Sequence, residues 1–93
     1  MTDLNGTFFN NETLRRFEMT LQNAFVHVAY EECARNEFHL KKTIFNDIAE
    51  ETGFLLAAIR TVIGHLELQN QKVTTDCIWI KACLRLYPNS KKS

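Results

Sequence analysis

The sequence predicts an all-α domain made of a medium helix, a long central helix and a short third helix. Three observations predict it. In Thr43–Gln69 the apolar positions Ile44, Ile48, Leu55, Ile59, Val62 and Leu66, with half-apolar Thr52 between them, recur in steps of three and four, the mark of one helical face. Leu14, Phe17, Leu21, Ala24 or Phe25, and Val28 repeat that spacing upstream. Ile78, Trp79, Ala82, Leu84, Leu86 and Tyr87 form a third apolar run, closed by Pro88.

Taken in order, residues 1–10 have no period and read as a flexible arm. Asn10 or Asn11 is a good N-cap, with Glu12 in the first turn where the helix dipole favours a carboxylate. The first helix is expected over 12–34. Residues 35–42 read as a loop carrying two apolar plugs, Phe38 and Leu40. Thr43 caps the central helix. At about 1.5 Å per residue that helix would run about 40 Å, longer than a domain of this size is wide. It therefore needs neighbours, including ones from another chain, or it breaks at Gly53. A polar loop around Val73 follows. Thr74 or Thr75 then caps the last helix, with Asp76 in its first turn. Residues 11–88 make one helical domain and 89–93 a solvated tail.

The 93 residues are 45% hydrophobic and 24% charged, as expected of a folded domain. Eleven basic residues balance eleven acidic ones, so the chain as a whole exerts no pull on a polyanion. Cys33, Cys77 and Cys83 form no CxxC pair and read as small buried residues of a reducing compartment. The longest apolar run, Phe54–Ile59, is far short of a membrane span. An intracellular protein is expected. His27, His39 and His65 lie far apart, and adjacent Glu50 and Glu51 cannot face each other on a helix. Hence no enzyme activity, metal, cofactor or small-molecule substrate is expected.

Short motifs carry two resemblances. KKTI at 41–44, IAEET at 48–52 and KVTTDCIWIKACL at 72–84 resemble the histone fold, most closely the centromere protein S branch of that family. The resemblance implies pairing with a second histone-fold subunit or with itself, a nuclear location, and double-stranded DNA as a partner in kinetochore or repair work. It implies phosphate contacts from Arg15, Arg16, Lys41, Lys42, Thr43, Lys72 and Thr74. The dimer interface would be Leu55, Ile59, Val62, Ile63, Leu66 and Trp79. TIFNDIAEETGF at 43–54 and LRLYPN at 84–89 resemble instead the helix-turn-helix headpiece of the lactose-repressor family. That resemblance implies a bacterial or phage cytoplasmic regulator in which Arg60 and Thr61 meet base edges. A third expectation is a helical adaptor that binds only protein. An unbroken helix through Gly53 favours the histone fold, and a turn there excludes it.

Overall fold

The computed structural model describes residues 7–33 and 35–86. Five strands and three helices follow in the order β1 (Thr7–Asn11), β2 (Arg16–Leu21), β3 (Ala24–Glu32), β4 (Glu37–Phe45), α1 (Asp47–Thr52), α2 (Phe54–Leu68), β5 (Lys72–Thr75) and α3 (Ile78–Leu86). The strands form one sheet in the order β1-β2-β3-β4-β5. The first four make an antiparallel meander, and β5 joins β4 in parallel.

This corrects the all-α expectation, and with it both the histone fold and the helix-turn-helix bundle. The expected first helix over 12–34 is the hairpin of β2 and β3. The expected loop 35–42 and the start of the central helix are β4. The expected arm 1–10 contributes Thr7–Asn10 to β1, while residues 1–6, Tyr87, Pro88 and the tail 89–93 lie outside the described residues. Helix does occupy 54–68 and 78–86.

The strands form because their apolar residues alternate. Phe17 and Met19 on β2, and Ala24, Val26, Val28 and Tyr30 on β3, are all buried, and the residues between them are not. Leu21 pairs with Ala24 across a two-residue turn, and Gln22 takes the positive φ of 56° that such a turn needs at its first position. Between Ala29 and Tyr30 the β3–β4 register shifts: Ala29 faces Lys42 while Tyr30 faces Leu40. Lys41 is the extra residue of a β-bulge. Before the bulge Phe38 and Leu40 face the core; after it Phe45 does.

The break at Gly53 has a local cause. Asn46 caps α1: its side-chain oxygen accepts the Ala49 N–H at 3.1 Å and the Phe25 N–H at 3.3 Å, and its Nδ2 donates to the Asn23 carbonyl at 2.7 Å. One side chain thus starts the helix and pins it to the β2–β3 turn. Gly53 closes α1 in the left-handed region, φ 84°, with its N–H on the Glu50 carbonyl. It then serves as the N-cap of α2.

Leu55, Ala58, Ile59, Val62, Ile63 and Leu66 of α2 are buried with Phe17, Val26, Val28 and Leu40 of the sheet and Ile80 and Cys83 of α3. The chain's own sheet therefore covers the helix face that the spacing assigned to a partner. Phe8 stacks on Phe17 at 5.6 Å between ring centroids, and Phe17 meets Tyr30 at 4.8 Å. Tyr30 donates its hydroxyl to Asn10 at 2.7 Å, tying β3 to β1 across β2. None of the described helices is long and apolar enough to cross a membrane.

Candidate functional site

The residues expected to meet DNA are scattered by the fold. Arg15 lies in the β1–β2 turn beside Glu12, Tyr30 and Glu32. Arg16 points to the open side of the sheet, its Nε 2.6 Å from Glu18. Lys41 and Lys42 are exposed at the bulge, and Lys72 opens β5. Thr74 pairs with His39 across β4 and β5, their side chains 2.8 Å apart. Thr43 sits 3.5 Å from the Cys77 sulfur. Arg60 and Thr61 lie on the exposed side of α2, where the Thr61 hydroxyl donates to the Ala57 carbonyl. The expected interface residues Leu55, Ile59, Val62, Ile63 and Leu66 are buried within the chain, and Trp79 rests edge-on against Phe45 at 5.5 Å.

What the fold does assemble lies at the carboxyl ends of β4 and β5. Because β5 is parallel to β4, the connection must run back along the sheet, and α2 does so. Its C-terminal loop returns beside the start of β4, where Lys72 N–H donates to the Asn36 carbonyl at 2.6 Å. After β5 the chain enters α3. Arg60 on α2 acts electrostatically on the Cys83 thiol of α3, so the two helices lie side by side. The α1–α2 crossover leaves from the end of β4 and α3 leaves from the end of β5, so both helices begin toward this end of the sheet.

The first turns of both helices carry backbone N–H groups that have no intrahelical acceptor. No side chain caps α2, and neither α2 nor α3 carries an acidic residue in its first turn. Lys81 N–H donates to the Cys77 carbonyl at 2.9 Å, so the amides of 78–80 precede the first intrahelical bond of α3. At Gly53 a Cβ would meet nothing within 4 Å, so the space in front of the α2 terminus is open. The Thr75 hydroxyl donates to the Leu40 carbonyl at 2.7 Å and accepts the Cys77 N–H at 3.0 Å, which holds the β5–α3 turn in place. The half-buried Cys77 thiol and the Thr43 hydroxyl sit together at this mouth.

Elsewhere the shifted titratable groups lie mostly in the sheet. Hydrogen bonds from Arg16, and then from Asn11, hold the Glu18 carboxyl below its ordinary range. Burial, then the nearby Arg16 charge, lowers His27. Burial pushes the Tyr30 phenol and the Cys83 thiol up. His39 Nε2 lies 3.3 Å from the largely exposed Asp76 carboxylate. Among the described residues no group of three or more His, Cys, Asp or Glu is placed to hold a metal ion.

The sequence reading left open whether the chain breaks at Gly53, and it did not bring Cys77 beside Thr43. The signal for Gly53 was present in Asn46-Asp47 with Ala49 three residues on, which is a helix start directly after a β-branched and aromatic run. No family model, no curated protein and no solved structure matches the chain.

Proposed function

We propose that this domain binds a small anionic ligand, one carrying a phosphate or pyrophosphate group, at the shared mouth of α2 and α3. The observation that carries the reading is that α2 and α3 both begin at the carboxyl end of the parallel strand pair, with no side-chain cap on α2 and no acidic residue in either first turn. Each such terminus offers unpaired N–H donors and about half a unit of positive charge. In open sheets with helical crossovers, ligands lodge beyond the carboxyl ends of the strands, where the connection changes direction. Here that place is where the antiparallel meander gives way to the β4–α1–α2–β5 crossover. The expectation of no small-molecule partner rested on side chains alone and did not weigh the backbone amides of helix starts.

The test is a titration of isotopically labelled protein with inorganic pyrophosphate. The amides of Phe54, Leu55, Leu56, Ile78 and Trp79 should shift together along one saturating curve. Ala57 is exposed one turn into α2, so Ala57→Glu leaves the core intact. A carboxylate there repels the anion by about 1 kcal/mol, a loss of roughly fivefold in affinity. Shifts confined to Lys41, Lys42 or Lys72, or none at millimolar ligand, would refute the reading.

A further inference from the structure

The side of the sheet away from the helices carries a second, independent feature. One row of cross-strand partners runs Phe9, Glu18, His27, Ile44 over β1 to β4, and a neighbouring row runs Asn11, Arg16, Ala29, Lys42. Phe9 is 58% exposed and Ile44 43% exposed, so two large apolar side chains stand open at opposite ends of one row. Between them the Phe25 ring lies 5.1 Å from His27. All the strand residues in the buried core belong to the opposite side, and no described element crosses this one.

We propose that this open sheet face docks on the same face of a second copy of this chain. Two arguments choose that occupant. The first is charge. The face presents Arg16, Lys42 and Lys72 against Glu18, Glu31 and Glu37, three of each sign, and the whole chain has a formal net charge of zero. A nucleic acid or a strongly acidic or basic protein needs a surface of one sign. A two-fold interface needs a patch that complements itself, and a mixed, balanced face provides one. The second is size. Four strands about 4.8 Å apart and four rows of same-face residues about 6.8 Å apart give a footprint of roughly 19 by 27 Å, on the order of 500 Å² before side-chain relief. Specific dimers bury about 800 Å² per partner, so the face suits a modest, micromolar association. Two such sheets would stack about 10 Å apart, with Phe9, Phe25 and Ile44 in the seam. This interface is on the other side of the molecule from the apolar stripe of α2, and it does not depend on the ligand mouth.

Sedimentation equilibrium of the full chain from about 5 to 500 µM tests it. The wild type should move from monomer to dimer within that range. Phe9→Asp and Ile44→Asp alter exposed side chains, so each should keep the wild-type far-UV spectrum and melting curve at low concentration while weakening dimerisation at least tenfold. Amide exchange at the upper concentration should slow for β1–β4 residues of the open face in the wild type and not in either variant. A chain that stays monomeric across the range overturns the proposal, as does a dimer that survives both substitutions. A larger species that dissolves on adding either aspartate but shows no two-fold end point also overturns it. Pyrophosphate binding at the mouth is unaffected by either result.

Discussion

Replacing Gly53 reads the fold directly, because two structures for Thr43–Gln69 predict opposite signs. In the structure Gly53 has φ 84°, and a Cβ there would touch nothing within 4 Å. The cost of Gly53→Ala is therefore backbone strain alone. A left-handed conformation costs an L-residue about 1–2 kcal/mol, and the stiffer unfolded chain returns about 0.4–1 kcal/mol of that. The expected net loss is about 1 kcal/mol, a fall in Tm of about 4–8 °C for a domain of this size. In an unbroken helix the same change would gain about 1 kcal/mol. Asn tolerates the left-handed region better than Ala, so the expected order of stability is Gly, then Asn, then Ala; inside a helix the order is the reverse. Urea melts of the three proteins, followed by far-UV circular dichroism at equal concentration, measure it. A Gly53→Ala variant more stable than wild type would refute the turn between α1 and α2, and with it the mouth that the turn creates.

The remaining expectations concern single side chains. Asn46→Ala removes a cap and strips partners from the Asn23 carbonyl and the Phe25 N–H, so it should cost about 2 kcal/mol or more in a urea melt, while Asn46→Asp, which keeps the acceptor, should cost less. Tyr30→Phe leaves the Asn10 side-chain oxygen without its donor and should cost about 1 kcal/mol. His27 titrates below its ordinary 6.5 in the fold, so as pH falls the unfolded chain takes up that proton first, and the stability His27 supports is complete above 6.5 and drains away below it. The groups facing it are Glu18 and Ile44 across the strands, Arg16 and Lys42 on the diagonals, and Phe25 beside it. His27→Gln should flatten the melting-temperature profile just below that ordinary value. Glu18, whose carboxyl is depressed, loses its contribution only at lower pH, as the carboxyl protonates through its folded value, so Glu18→Gln should flatten the more acidic limb instead.

The helices α2 and α3 were legible because fifteen and nine residues of unbroken helical period leave little choice; in α2 the buried side chains lie on the face the spacing marks, whereas in α3 the buried residues are Ile80 and Cys83, outside the marked run, and Ile78 within it is exposed. The strands were not, for reasons that particular residues show. Leu14, Phe17, Leu21, Ala24 or Phe25, and Val28 step by three and four only because the selection skips Met19, Val26 and Tyr30, which are buried, and includes Leu14, which is exposed. The true period of two breaks at the Gln22–Asn23 turn, where neither residue is glycine, so the usual hairpin mark is missing. In β4 the bulge at Lys41 puts a step of more than two between inward residues, so Phe38 and Leu40 looked like plugs in a loop. Ile44, which began the supposed central stripe, stands on the solvent side of a strand. Its agreement in phase with Ile48 and Leu55 is a coincidence that spans a strand end, a cap and a turn. The bulge also ties the missed part of the fold to the candidate site. Without an extra residue in β4, the strand beyond Lys41 would keep its earlier phase and turn Thr43 to the open side, away from Cys77. The irregularity that spoiled the alternation in the sequence is thus what brings the β4 hydroxyl to the mouth of the two helices.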